Sequence, residues 1–366
     1  MDQPVLAVYD RAGVFHGWLR APMQVRIQPR WIDVGTAELT VTLTDPLAEV
    51  LRSPGTRVMC SLRGEHVLGG PVTAWRLTGP ADAHWAFTVT DDAYIAEQIY
   101  CAPSPSAPLT GQSTGSDTRN GKLESVIKSL AAANAPRSGI PVDIAVDKGR
   151  GPTVTLAARW QPLSDVIGPS LRAAGMSLVV TWRPDVNRLL LDVAEAGTYP
   201  VQLSVESKTI TAYDVSAAAP TATRVVVGPG EGTSFQQIVN ATAETAYGPL
   251  LAGETFRTAA TTDEASTAAS DALNDANAKS GLAVSLAESP FVRYGGLNGL
   301  HVGDRATLRI GDVEITDVVR EAVITWQVGQ PLTITPAVGA WDANPSFALA
   351  GAVQRLAASV RRYLAR

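Results

Sequence analysis

The sequence predicts an α+β fold that is mainly β: two related β-barrel-like domains, an inserted small α+β domain and a C-terminal helix. Three observations carry this reading. Long tracts alternate apolar and polar residues at strand period, as in "AELTVTLT" and "HWAFTVT", with Gly and Pro between the runs. Two segments in the middle of the chain switch to helical period. One β-pattern also occurs twice. "SPGTRVMCSLRGEHVLGGPV" from Ser53 is matched by "LHVGDRATLRIGDVEITDVV" from Leu300. Each copy has a Gly, one residue and an Arg (Gly55 and Arg57; Gly303 and Arg305), an alternating strand, a Gly break at Gly64 or Gly311, and a second strand. Upstream of each lies a strand ending in acid and Pro, "LTVTLTDP" to Pro46 and "LAVSLAESP" to Pro290. The spacing between Pro and Gly differs, so one β-unit is used twice and this is no short tandem repeat.

In chain order, residues 1–103 form the first β-barrel-like domain. A Pro-, Ser- and Gly-rich linker follows at 104–121. Residues 122–204 read as the α+β domain. "KLESVIKSLAAANAP" sets Leu123, Val126, Ile127 and Leu130 on one face, with Asn134 and Pro136 as stop signals. "QPLSDVIGPSLRAAG" repeats the pattern, with Pro162 at the first helical position, Gly175 at the C-cap and Pro169 bending or interrupting the helix. "SLVVTW" and "RLLLDVA" flank the turn "RPDVN" as a hairpin. The second β-barrel-like domain takes residues 205–232 and 281–340. It is interrupted by an acidic insertion at 233–280, in which Thr261 with Glu264 reads as a capping box and Gly281 as the helix end. Residues 341–366 form the basic C-terminal helix. Asn344 caps it, Pro345 opens it, and Leu349, Val353, Leu356, Val360 and Tyr363 make a seam about two heptads long. Such a seam serves either docking on its own chain or a partner interface.

Composition narrows the classes. The chain has 366 residues, 45% hydrophobic and 18% charged, with a net charge of -5. That is enough for two or three domains, and no run approaches the length of a membrane span. The N-terminus lacks the basic region of a secretory signal. Cys60 and Cys101 are expected to be free, buried thiols in a reducing compartment. Between Glu231 and Glu288 there are eight acids and two bases; beyond Asp342 there are four arginines and no acid.

No motif supplies an active site. His16, His66, His84 and His301 lie far apart, without HExxH, and two cysteines cannot form a structural zinc site. There is no GxSxG, although a triad of distant residues is left open. "GPGEGTS" lacks the Lys of a phosphate loop, and Asp312, Glu314 and Asp317 lack EF-hand spacing. Asp91 and Asp92 suit a helix start better than acid–base chemistry. The expectation is a protein with no catalytic, cofactor or metal residues.

The segments "TVTDDAYIAEQIY", "LRAAGMSLVVTW", "NRLLLDVAE", "VRYGGLNGLHVGDRATLRIGDVEITDVVREAVITW" and "LTITPAVG" resemble the baseplate and tail-tip hub proteins of long-tailed phages. That family includes the N-terminal part of tail-associated lysins and the minor tail proteins of actinobacterial siphophages. The resemblance spans roughly residues 30–340 and rests on strand and glycine order. It implies a structural protein of the virion tail tip, made and assembled in the host cytoplasm. It also implies a homotrimer whose paired β-units give a quasi-sixfold ring. The ring would join the tail tube to tape-measure, tip or fibre proteins and close or line a DNA channel without specific nucleic-acid binding. The chain stops at Arg366, so any wall-degrading or receptor domain is expected on another polypeptide. Two other classes stand beside this one, a cell-wall-polymer hydrolase and a carbohydrate-binding β-module. The latter needs clustered aromatics, whereas the eight tryptophans are scattered along the chain at strand-like positions that suit cores.

Overall fold

Alternation in the sequence becomes alternation of burial in the structure, a computed structural model. The described residues are 3–139, 141–227, 236–253, 273, 276, 279–286, 288–289, 292–311 and 313–338. The structure is mainly β with α+β content, as the sequence predicts, and divides into two compact units. The first comprises Met1–Thr211, Ser285–Ala306 and Val318–Val338; the second comprises Ala212–Val284, Thr307–Asp317 and Gly339–Arg366.

The first unit begins with β1 (Val5–Tyr9), β2 (Phe15–Trp18), β3 (Gln24–Gln28), β4 (Thr36–Thr42), β5 (Arg57–Leu62), β6 (Glu65–Thr78) and β7 (His84–Thr90). In β4, Ala37, Leu39 and Val41 are buried, and in β5 Val58, Cys60 and Leu62 are, so each strand turns one face inward. The strands pair antiparallel in the order β3, β4, β7, β6, β5, β1, β2. At 14 residues, β6 serves two neighbours. Glu65–Pro71 pairs with β5 and Val72–Thr78 with β7, with a register shift between Val72 and Ala74. One core, including Leu6, Val25, Ile27, Leu39, Val58 and Phe87, lies against these strands.

The same unit carries the α+β part. Helix α1 (Leu123–Ser138) and α2 (Leu163–Ala174) pack with β8 (Met176–Arg183) and β9 (Arg188–Glu195), which form the expected hairpin. Leu123, Val126, Ile127 and Leu130 all enter this second core, as their spacing predicts. Both helices end on left-handed glycines, Gly139 and Gly175. Three local expectations shift. Helix α1 runs through Asn134 and Pro136, because Asn134 is buried as a core acceptor, taking the Ala102 N–H at 2.9 Å. Pro162 is the N-cap, one residue before the first helical position. Pro169 lies inside α2 without ending it.

The repeat is realised as two like-shaped hairpins. β5 turns into β6 at Gly64, and β12 (Asp304–Ile310) turns into β13 (Val313–Gln327) at Gly311. Within the second unit lie most of β10 (Ile210–Ala218) and its neighbour β11 (Lys279–Leu286). A small sheet of Arg224–Val227, Gln236–Val239 and Leu251–Gly253 joins them there. Back in the first unit, β13 pairs antiparallel with β14 (Thr333–Val338) and with β3, where Ile324 faces Ile27 and Trp326 faces Val25. The glycines opening the two copies are both left-handed, and a Cβ at Gly303 would stand 2.4 Å from the Trp31 ring. Most of the helix expected from Thr261 to Gly281 lies outside the described residues, as does all of the expected C-terminal helix; Lys279 and Gly281, expected at the first helix's end, lie instead in β11.

Buried charge in the α+β part is fully matched. Glu124, with no exposed surface, accepts from Lys128 Nζ at 2.7 Å and from Arg150 at 2.9 Å, and Asp192 shares both cations. The Arg150 guanidinium holds the Glu124 carboxyl far below the usual carboxylate range. Removing the anion leaves two cations to share Asp192 alone, so Glu124→Ala is expected to cost about 3 kcal/mol. A denaturant midpoint within a few tenths of wild type would contradict this.

Candidate functional site

Two adjacent left-handed residues, Arg63 (φ 53) and Gly64 (φ 83), make the tight turn between β5 and β6. This turn carries two charged side chains outward as a clamp. Arg63 donates to both oxygens of Glu288, at 2.6 and 3.1 Å, and to the Tyr294 carbonyl at 2.5 Å. Glu65 Oε2 accepts from the Gly296 amide at 2.8 Å and meets His301 Nε2 at 2.8 Å. The other ring nitrogen of His301 is 3.3 Å from Asp304. The segment from Glu288 to Asp304 is thereby fastened to the hairpin tip of the first β-copy.

Beside the clamp is a cleft of about 250 Å³, bordered by Glu65, His66, Asp91, Val179, Tyr294 and His301. Most of its titratable groups are committed to structure. Asp304 and Glu65 raise His301 to about 9, so it is a cation at neutral pH and no base. Burial pushes the Tyr294 phenol up. Burial also raises Asp91 and Asp92 to about 6. Asp91 caps a helical turn by accepting from the Ala93 N–H at 2.9 Å, the helix-start role expected of it. Asp92 is bound by Arg57, whose guanidinium lies 4.8 Å from the centre of the Trp182 ring. Among the described residues no cluster of three His, Cys, Asp or Glu side chains is arranged to hold a metal. Both cysteines are free and buried, with thiols pushed up to about 12. No described helix is long and apolar enough to cross a membrane.

The second feature is a sheet edge. From Thr73 to Leu77 every residue of β6 is exposed, Trp75 by 53% and Leu77 by 52%. Trp75 faces Phe87 and Leu77 faces Trp85 across the β6–β7 ladder, so all four share one side of the hairpin. Phe87 is in the core, but the hairpin runs on past it and its apolar side emerges into solvent. Trp75 and Trp85 meet edge to face, 5.6 Å apart, with Arg52 over the Trp85 ring. Trp75 departs from the core position expected of the tryptophans, whereas Trp85 packs against the core. The pair's tilted rings offer no flat platform of the kind sugar rings stack on. Sequence reading missed this edge, because burial of a strand's far half is not encoded in its alternation. The partner-interface residues expected from sequence, Leu349, Val353, Leu356, Val360 and Tyr363, lie outside the described residues.

A model of the siphovirus ReqiPepy6 Gp37-like protein family matches residues 5–340. The chain belongs to that family. Its fold is shared with the 43 kDa tail protein of prophage MuSo2 from Shewanella oneidensis, at a TM-score of 0.55 and 11% identity, over 94% of this chain and 100% of that one. It is also shared with the tail protein from Neisseria meningitidis MC58, at a TM-score of 0.53 and 12% identity, over 93% and 99%. No curated protein matches the sequence. The expected class, a structural phage tail protein and not an enzyme, agrees with this family and these folds.

The clamp gives a pH signature. His301 is raised in the folded chain, so its contribution is complete below about pH 6.5, the ordinary histidine value, and is lost as pH rises through about 9. His301→Gln is expected to cost roughly 1 kcal/mol near pH 7, in keeping with a half-exposed pair. The gap to wild type should close by pH 10 in parallel denaturation curves. A constant gap from pH 7 to 10 would remove His301 charge from the account.

Proposed function

We propose that the protein is the trimeric hub of a siphovirus tail tip, joining the tail tube to distal tip components and lining or closing the DNA channel. The observation that carries this is family membership over nearly the whole chain. The trimer is supported by the duplicated hairpin, because two like units per chain let three copies present a quasi-sixfold face to a sixfold tube. The clamp fits a structural part, since each of its charged groups is held by a neighbour. Neighbouring tail proteins are the partners in this reading, and the tip of the assembled virion tail is its location.

Charge supports the channel role. The tract from Glu231 to Glu288 is acidic, and phosphate affinity requires clustered Lys and Arg. DNA should therefore slide past without being held. The purified chain is expected to leave duplex DNA free in a mobility-shift assay at physiological salt; micromolar binding would count against a channel lined by this tract.

Light scattering should give a mass of about 115 kDa, three copies of 38.4 kDa. A monomer at every concentration, and in the virion as well, would overturn the hub reading. The seam from Leu349 to Tyr363 is proposed as a contact to another tail protein or to symmetry mates. Removal of residues 340–366 should leave thermal unfolding of the remainder unchanged and abolish infectious particles. Normal particles from the truncated chain would assign the seam no role in assembly.

A further inference from the structure

The two β-copies differ in one respect that the repeat makes measurable. "VTAWRL" (Val72–Leu77) in β6 corresponds to "VITWQV" (Val323–Val328) in β13, and "FTVT" (Phe87–Thr90) in β7 corresponds to "LTIT" (Leu332–Thr335) in β14. The ladders confirm the alignment independently. Ala74 faces Thr88 in the first copy, and Thr325 faces Thr333 in the second. Trp75 is therefore the counterpart of Trp326. Their surroundings are unlike. The outer edge of β13 is covered by β3, with Thr325 opposite Arg26 and Trp326 opposite Val25, and Trp326 packs against the core. The same edge of β6 has no strand beside it among the described residues, and Trp75 is half exposed.

The strand that would cover it follows from the same correspondence. β3 covers β13 and is itself the neighbour of β4, the strand of "LTVTLTDP". In the second copy "LAVSLAESP" begins in β11, and its neighbour is β10. β10 is thus the counterpart of β3, and it ends its sheet among the described residues. We propose that the edge of β6 from Thr73 to Leu77, beyond the Val72 amide that bonds Thr56, pairs with β10 of a second copy of this chain. That joint repeats between molecules the β13–β3 joint inside each molecule. An unpaired edge with exposed Trp and Leu, and no charged residue but Arg76, is what protein chains ordinarily avoid, and strand addition satisfies its amides and carbonyls together. The joint is heterologous, since β6 and β10 are different surfaces. It closes into a ring only when the rotation between copies permits. The proposal rests on the oligomeric reading above and specifies where its contacts lie.

Trp75→Lys and Leu77→Lys in the full chain test this. Both side chains are exposed, so the fold of the single chain should survive, as far-UV circular dichroism and thermal unfolding would report. Each substitution should weaken assembly by about a hundredfold in sedimentation, the loss typical of a central aromatic or aliphatic anchor. In wild-type protein, hydrogen exchange should protect amides in both Thr73–Thr78 and Ile210–Ala218, and dilution to monomer should deprotect both together. A wild-type chain that never assembles defeats the hub reading itself. A wild-type oligomer that both lysine variants leave intact, with fast exchange at Thr73–Thr78, defeats this joint alone.

Discussion

Antiparallel pairing of β3 with β13 is the interaction on which the rest of the β-structure depends. It joins Gln24 to Gln327, so the first strand of one copy and the long strand of the other share one ladder. Ile27 and Ile324 are both fully buried at this seam, and the Arg30–Glu321 ion pair and the Gln28–Glu321 hydrogen bond extend it along the strand. Backbone groups at a sheet edge must find partners or water. Here the duplicated unit supplies the partner for one edge from within the chain. Everything else in that unit, from the bent β6 to the clamp at its tip, is placed by strands hung from this ladder.

The polar features answer the same constraint. Arg63 and Glu65 occupy a turn whose backbone leaves both side chains pointing outward, and they secure Glu288 and the irregular backbone of residues 292–303. Such a segment has few ladder bonds of its own, so side-chain donors and acceptors take their place. In the α+β part, Glu124, Lys128, Arg150 and Asp192 do the equivalent work for the Arg150 loop. The charges are costly to bury, but each has a partner.

Much of the fold was legible because it rests on local pattern. Strand alternation, the helical spacing of Leu123, Val126, Ile127 and Leu130, and the terminal glycines Gly139 and Gly175 all act within a few residues. The repeated Gly-x-Arg hairpins were also visible, since their turns need glycine at fixed points. Features depending on distant partners were hidden. Asn134 reads as a stop signal, yet the Ala102 amide makes it a buried acceptor within a helix. His301 reads as an isolated histidine, since nothing near it in sequence announces Glu65. Trp75 reads as core, because exposure at the far end of β6 depends on which strand lies alongside. The clamp and the edge were therefore the least legible parts.

The seam between β3 and β13 also has a cost in time. Its two strands are roughly 300 residues apart, and at about 5–20 residues per second a ribosome needs some 15–60 s to deliver the second after the first. During that interval β3 stands as an open edge on a nascent chain that already contains β4 and β7. Its outward residues, Gln24, Arg26 and Gln28, are polar and include one positive charge. They discourage pairing with other nascent chains on the same message until β13 arrives.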